Sequence, residues 1–425
     1  MRGRRVDINF HRLSAEHLAA LATSGGGAAA IDVLRRSQHS KHVLLLHAIA
    51  DASPAVAGAW DLLSRVQREN AEAAAEVVRY PAVGAWAYRT VLALQPGPGH
   101  PGAAPGGLAA VAAAAAIKAG VPAELDVPAR RGMVTLPSLG TAELPATDRA
   151  NVLVTRDGVE IRGGGRCLTI PPDRHAVPGW RPLRMVLPGL VVDDSDPFRM
   201  PAAPHVATVP DLGPWRPVFA DARALLRQHH PEVAAEVETM VTVVVPLGKP
   251  RQGQVSSSSP ETFGAIAMSE PPEPVDLAAT LTHETQHIKL SAVLDLVRLI
   301  EPDNGTRYYA PWREDPRPAN GLLQGAYAFL GVTAFWRRQR HVAAGSLAET
   351  EFARWRHAVA LTCETLLASG RLTSDGQRFV GVMAETVRPW LGEPVTDETR
   401  RLAEAENALH VARWTAQHGP VPVSG

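Results

Sequence analysis

The first ninety residues alternate apolar and polar positions with the period of an amphipathic helix. From about Ser14 to Leu92 apolar side chains recur every three or four residues, as in IDVLRRSQHSKHVLLLHAIADA, and Pro81 interrupts the pattern. The alanine-rich stretch LAAVAAAAAIKAG follows a segment dense in proline and glycine. We therefore predict a helical N-terminal lobe over residues 1–120.

The pattern changes after residue 120 to short alternating runs separated by turn residues. Examples are GMVTLPSLG, NVLVTRDGVEIRGGGRCLTI and LRMVLPGLVVDD. The Asp157-Gly158 step between two alternating runs predicts a hairpin, since this dipeptide accepts the positive φ angles of tight turns. A helix near 220–240 and the buried-strand candidate TMVTVVVPL complete a β-rich middle region over 121–250.

The last region, 251–425, begins with the short apolar run FGAIAMS and then becomes helical. Asp276 is the predicted N-cap of DLAATLTHETQHIKLSAVLDLVRLI, and Pro302 is its predicted stop. A helical start, a β-rich middle and a mostly helical end together predict the α+β class.

Composition and charge exclude several classes of protein. Lys plus Arg equals Asp plus Glu, 43 against 43, which argues against nucleic-acid or membrane-surface partners. The only cysteines, Cys167 and Cys363, form no CxxC pair, so we expect neither a disulfide framework nor a cysteine metal site. No signal-peptide core and no run of about 18 apolar residues occurs, and we expect a cytoplasmic protein.

The strongest chemical signal is the HExxH sequence formed by His283, Glu284 and His287. Residues four apart lie on one face of a helix, so the two imidazoles can bind one metal ion. Glu284 lies beside them and is the candidate catalytic carboxylate. The spacing predicts a metal-dependent enzyme, most simply one acting on peptides.

The third protein ligand is left open by the sequence. Leu290 and Val293 stand where the extended HExxHxxGxxH pattern requires Gly and His. Four downstream carboxylates lie within range on the chain, and no local pattern distinguishes one of them: Asp295, Glu301, Glu314 and Asp315.

A second segment dense in functional residue types runs from Arg307 to His341, in which a proline-rich loop enters a helix. Arg313 and Arg317 can each hold a substrate or co-substrate carboxylate in bidentate fashion, although solvated loop arginines are the simpler interpretation. Gln324 and Tyr327, in the helix that follows, are candidates to line the site.

Several segments together resemble one family. They are SKHVLLLHAI, VSSSSPETFGAIAMS, LTHETQHIKLSAVLDL and YYAPWREDPRPANGLLQGAYAFLGV with the trailing helices. The chain is similar over nearly its whole length to the HExxH-motif peptide-modification family of ribosomal-peptide gene clusters. Members occur alone or fused behind a radical-SAM maturase, and the family includes iron- and 2-oxoglutarate-dependent peptide β-hydroxylases.

The resemblance implies that His283 and His287 bind Fe(II), with 2-oxoglutarate and O₂ as co-substrates. Arg313 or Arg317 would hold the 2-oxoglutarate carboxylate, and a side chain of a precursor peptide would be hydroxylated. Relatives often carry a histidine in the helix GLLQGAYAF. This chain has Gln324 and Phe329 there instead.

Two other functions remain open at this point. In a zincin-like metallopeptidase, Zn(II) replaces iron and Glu284 is the general base that activates a zinc-bound water. In a non-catalytic maturation subunit, the chain binds the precursor peptide and its metal site is degenerate; the missing third-ligand pattern favours this alternative. Dependence on 2-oxoglutarate distinguishes the hydroxylase from both.

Overall fold

Helices at both ends of the chain and sheets in its middle make this an α+β protein, as the hydrophobic pattern predicts. The computed structural model describes residues 11–95, 103–201, 203, 205–250, 253–271, 273–342 and 346–420. Contacts between residues divide the chain into two compact units. Unit 1 consists of the described parts of Met1–Ser37, Val218–Met240 and Pro272–Gly425, and unit 2 of those of Gln38–Pro217 and Val241–Pro271.

These units combine segments that are distant in sequence, whereas the sequence-based division was into three consecutive regions. The first helix belongs to unit 1 with the C-terminal helices, and the other N-terminal helices belong mainly to unit 2 with the sheets. Local hydrophobic periodicity identifies elements but carries no information on which of them pack together.

Thirteen α-helices lie in the described residues. They are α1 Ala15–Ala22, α2 Gly27–Ala52, α3 Ala57–Glu69, α4 Ala71–Val78, α5 Pro81–Ala93, α6 Gly107–Ala119, α7 Trp215–His229, α8 Pro231–Met240, α9 Pro274–Leu294, α10 Ala319–Gln339, α11 Ser346–Ala368, α12 Ser374–Leu391 and α13 Asp397–His418. A 3₁₀ turn, Pro54–Val56, precedes α3.

The strands form three sheets, all in unit 2. They are β1 Ala123–Pro128, β2 Met133–Leu136, β3 Gly140–Glu143, β4 Arg149–Val154, β5 Val159–Gly163, β6 Arg166–Ile170, β7 Trp180–Pro182, β8 Arg184–Leu187, β9 Leu190–Val192, β10 Val243–Pro246, β11 Ser256–Ser258 and β12 Ala265–Met268. The first sheet has the order β1-β4-β5-β6, the second β2-β3-β7 and the third β11-β12-β10-β9-β8.

The predicted hairpin and the predicted buried strand in TMVTVVVPL, which is β10, are confirmed. Val154 pairs with Val159 across the turn that contains Asp157 and Gly158. β10 and β12 are fully buried, and they pair in parallel in the third sheet. Continuous apolar runs such as VVV and AIA are typical of strands covered on both faces.

The helix that carries the HExxH sequence, α9, lies in unit 1. α9 begins at Pro274, earlier than predicted, and Glu273 is its N-cap. The prediction of Asp276 as N-cap is therefore wrong. Pro274 supplies the preset φ angle and the absent N–H that suit a first helical position, which leaves Asp276 in the first turn, where its charge favours the helix dipole. α9 ends at Leu294, short of the predicted stop at Pro302.

Unit 2 contains a pair of buried carboxylates after β9. Asp193 has no exposed surface, and Asp196 is 5% exposed. Burial, and then the neighbouring Asp193, raise the pKa of Asp196 to about 7.

We expect Asp196→Asn to stabilise unit 2 at alkaline pH. A carboxyl whose pKa is raised in the folded state destabilises that state increasingly from about pH 4 to about pH 7, and the penalty is constant above it. The variant should therefore gain on the order of a few kcal/mol over the parent at pH 8 and clearly less at pH 5. Urea unfolding at both pH values measures this, with the exposed Asp157→Asn as control. An equal gain at both pH values would be inconsistent with a raised pKa.

No single helix in the described ranges is long and apolar enough to cross a membrane. One bent pair of helical segments, α2 with Pro54–Glu69, is long and apolar enough when the two are taken together, by length and composition alone. The cytoplasmic location stays a prediction.

Candidate metal site

The two histidines of HExxH face each other one turn apart on α9. Their Nε2 atoms are 3.1 Å apart. A metal ion bound about 2.0–2.1 Å from both nitrogens would have an N–metal–N angle of about 100°, which lies between the octahedral and tetrahedral values. The pair therefore suits either six-coordinate iron or four-coordinate zinc.

A glutamine of α10 orients one of these rings. Gln324 Oε1 lies 3.0 Å from Nδ1 of His287. An amide oxygen only accepts hydrogen bonds, so Nδ1 of His287 carries the hydrogen, and in the neutral ring Nε2 keeps its lone pair. A hydrogen bond of this kind to the far nitrogen holds a histidine ring in the orientation and tautomer that a metal needs.

Burial keeps His283 neutral. Burial first, and the charge of His287 second, lower the pKa of His283 to about 4. A neutral imidazole is the form that binds metal ions. The arrangement is therefore ready to bind at neutral pH without first losing a proton from His283.

The residues that the structure describes do not supply a third ligand. Among their His, Cys, Asp and Glu side chains, no group of three is placed to hold a metal ion. The four downstream carboxylates considered from the sequence therefore do not complete the site.

Aromatic rings pack beside His283. The Phe329 ring lies edge-on to His283, with centroids 5.2 Å apart. Phe329 also stacks on Trp312 at 5.0 Å and packs against Trp355 at 4.2 Å. We call Phe329, Trp312 and Trp355 the aromatic wall. It gives His283 an apolar neighbour.

The predicted carboxylate-binding arginines lie together, but each has a partner. Arg313 Nε and Arg317 Nη1 donate to the two oxygens of Asp315, at 2.6 and 3.0 Å. Arg317 also lies along α10, where a Cβ built on Gly321 would be 3.1 Å from its Nε. Gly321 is three residues before Gln324. Arg317 therefore lies near the end of α10 from which Gln324 contacts His287.

The remaining predicted residues are buried. Glu284 is 2% exposed. Tyr327 has no exposed surface, and its hydroxyl donates to the carbonyl of Leu21 at 2.7 Å. Its ring lies below the Lys289 ammonium, 5.8 Å from ring centroid to Nζ. Tyr327 therefore packs in the core of unit 1, and its hydroxyl bonds to Leu21 instead of pointing to the histidine pair.

Sequence reasoning missed the aromatic wall and the role of Gln324. Trp355 lies on α11, far from the HExxH sequence, and nothing local connects the two. Gln324 was predicted to line the site and was noted as a departure from the family that the sequence resembles, but its contact with His287 was not predicted. The signal that could have found its contact is the small-residue spacing of Gly321 and Gly325, which permits close packing of α10.

No protein-family model matches this chain, and no curated protein is significantly similar to it. The family resemblance therefore remains a hypothesis that rests on the residues that carry it.

We expect Gln324→Leu to weaken metal binding by about 10- to 100-fold, because loss of an orienting partner of a ligand histidine typically costs that much. Titration with Zn(II) followed by competition with a chelator measures the change. Gln377→Leu, at an exposed position on α12, is the matched control and should bind like the parent. Unchanged affinity in Gln324→Leu would show that the glutamine does not orient His287.

Gly325 lets α10 approach the aromatic wall. A Cβ built there would lie 2.2–2.4 Å from ring atoms of Trp312, whereas a Cβ at Gly381 on α12 meets nothing within 4 Å. We expect Gly325→Ala to cost roughly 1–3 kcal/mol by overpacking. Gly381→Ala should instead gain up to about 1 kcal/mol from helix propensity. Chemical denaturation of both variants measures these opposite changes in the free energy of unfolding. Equal changes in the two variants would refute the prediction.

Proposed function

We propose that this chain is a metal-dependent enzyme that modifies a ribosomally made peptide, with its metal held by His283 and His287. The observation that best supports this is the facing pair of Nε2 atoms, 3.1 Å apart, with His287 oriented by Gln324. A merely structural histidine pair has no need of a partner that fixes the tautomer of one ring.

Fe(II) is the metal we propose, with 2-oxoglutarate and O₂ as co-substrates. This combination supplies the oxidising power for hydroxylation of an unactivated C–H bond. His283 and His287 would supply the two imidazole ligands that iron centres of this kind use. The absence of a third ligand among the described His, Cys, Asp and Glu residues leaves further positions for small-molecule ligands.

The protein's own groups would bind and orient the co-substrate and shield the site. A carboxylate of 2-oxoglutarate would take the place of Asp315 on Arg317 or Arg313, since the guanidinium groups match either carboxylate equally well. The aromatic wall would keep water from the His283 side, and Glu284 would act as an orienting or electrostatic group from its buried position.

Succinate formation tests the hydroxylase. Protein reconstituted with Fe(II), ascorbate and 2-oxoglutarate should release succinate, and release should rise with short peptides encoded beside its gene. His283→Ala and His287→Ala should release none. Arg317→Gln should raise the KM for 2-oxoglutarate, whereas Arg378→Gln, which breaks an exposed pair with Asp375, should not. Bound iron without succinate would contradict the proposal.

A non-catalytic peptide-binding subunit is the second candidate. Phe329 favours it, because this residue places a phenyl ring beside His283 where relatives often carry a histidine. This candidate requires that a precursor peptide bind while succinate and cleavage products are both absent.

The zinc peptidase is the least supported of the three. β12 precedes α9 in the order that zincins show, but β12 pairs with β10 on one side and β11 on the other, so it offers no free edge to an extended peptide. If it were nevertheless correct, Glu284→Gln would abolish hydrolysis and retain zinc.

A further inference from the structure

Unit 2 contains a cavity that the proposed metal chemistry does not use. It has a volume of about 590 Å³, within the range of small-molecule sites. α5, α6, β2, β3 and the loop after β9 form its walls. Much of the lining is apolar and includes Trp86, Val111, Met133 and Phe198. Such a lining favours a ligand with a hydrophobic body.

Two of the five polar side chains in this lining, Asp196 and Thr141, are buried, whereas Thr135 and Ser195 are partly exposed and Arg130 is exposed. Asp196 is 5% exposed, and its Oδ1 accepts a hydrogen bond from the Phe198 N–H at 2.8 Å. Its Oδ2 has no hydrogen bond to any residue within the described ranges. The Thr141 hydroxyl, on a side chain that is 1% exposed, also lacks a partner there. Buried polar atoms rarely stay unpaired, so the Thr141 hydroxyl points to a ligand, to which Oδ2 of Asp196 offers a second hydrogen-bond partner.

The charges around Asp196 favour a cation. Asp193 lies close enough to raise the pKa of Asp196, and it accepts hydrogen bonds from the Tyr80 hydroxyl at 2.6 Å and the Asp196 N–H at 2.9 Å. Arg199 is the one cation whose charge lowers the pKa of Asp196. Two carboxylates against one guanidinium leave the ionised cluster with an excess negative charge, which a bound cation would offset.

We propose that this cavity binds a hydrophobic molecule that carries a protonated primary amine. The ammonium group donates to Oδ2 of Asp196, and the apolar part packs among Trp86, Val111 and Phe198. The Thr141 hydroxyl offers a further hydrogen-bond partner inside the cavity. A carboxylate is disfavoured in the position of the ammonium group, because it would face the negative charge of Asp193 and Asp196, whereas Arg130 is an exposed part of the lining.

The same chemistry occurs in a free arylalkylamine and in the N-terminus of a peptide that begins with an aromatic residue. Both present an ammonium group a few bonds from an apolar ring. Phenethylamine and the peptide amide Phe-Ala-Ala-NH₂ therefore serve as the two probes, and N-acetyl-Phe-Ala-Ala-NH₂ is the control without the charge.

Calorimetric titration of the full chain tests the proposal. Phenethylamine should bind, 2-phenylethanol should bind at least about tenfold more weakly, and 3-phenylpropanoate should not bind, since charge-assisted hydrogen bonds are the stronger ones. Binding of both amines would show that the cavity recognises an ammonium group beside an apolar ring in either molecule. Binding of only one would show whether the ligand is a free amine or a peptide N-terminus. If neither amine binds, or if the alcohol binds as well as the amine, the proposal is overturned.

Two variants assign the binding to this cavity. Asp196→Asn keeps an acceptor for the Phe198 N–H and should lose the preference for amine over alcohol. Thr135→Trp, at a partly exposed lining position on β2, should fill the space and abolish binding of every probe. Asp157→Asn, at an exposed turn, should bind like the parent. An unchanged amine affinity in both Asp196→Asn and Thr135→Trp would also overturn the proposal.

Discussion

Replacing Lys289 by methionine is expected to lower the free energy of unfolding by about 3–5 kcal/mol, the usual cost of leaving one member of a buried ion pair alone. Lys289 has no exposed surface. Its ammonium donates to Glu236 Oε2 and to the carbonyls of Ser24 and Gly25, each at 2.7 Å. The substitution would leave all three acceptors without that donor.

Burial also shifts the pKa of both members of this pair. It raises the pKa of Glu236 and lowers that of Lys289, and their mutual attraction opposes both shifts. Adding Glu236→Gln to Lys289→Met should therefore recover part of the loss, because it removes the uncompensated charge. Lys118→Met, which breaks a more exposed pair with Glu76, should cost less than about 1 kcal/mol. Equal effects of the two lysine variants in denaturant unfolding would refute the buried network.

Removing either histidine of the pair is expected to lower metal affinity by more than about 100-fold, since even an outer partner of a ligand typically contributes 10- to 100-fold. One imidazole cannot hold a divalent ion against water when the described residues supply no third His, Cys, Asp or Glu ligand. Titration of the metal-free protein with Co(II), followed by its visible absorption, measures the loss in His283→Ala and His287→Ala.

His341→Ala is the matched control for these variants, because His341 is exposed and lies just beyond α10. It should bind Co(II) like the parent. Circular dichroism of the three variants separates loss of a ligand from loss of fold. If all three bind Co(II) with parental affinity, His283 and His287 are not the ligands.

Much of the secondary structure follows from the sequence because the apolar positions repeat with a clear period. The 3.6-residue period finds the N-terminal helices and α9, and the Asp157-Gly158 step finds the β4–β5 hairpin. Helix limits are less well determined. Pro274 begins α9 two residues before Asp276, since both residue types favour helix starts and the proline comes first.

The candidate site is only partly accessible to sequence reasoning. The spacing of His283 and His287 fixes their relation because both lie on one helix. Gln324, Phe329 and Trp355 reach the pair through the packing of α10 and α11, which no local pattern encodes. Lys289 is a further example, because a lysine two residues after His287 gives no sign in sequence that Glu236 is its buried partner.

Metal content of the native protein, purified without a chelating tag and measured by mass spectrometry, tests the central claim most directly. A site built from His283, His287 and the orienting Gln324 predicts close to one metal ion per chain, with iron as the proposed metal. The same preparation of His287→Ala should contain almost none. Parent protein from metal-replete cells that carries no metal, and takes up none from Fe(II) or Zn(II), would contradict the account.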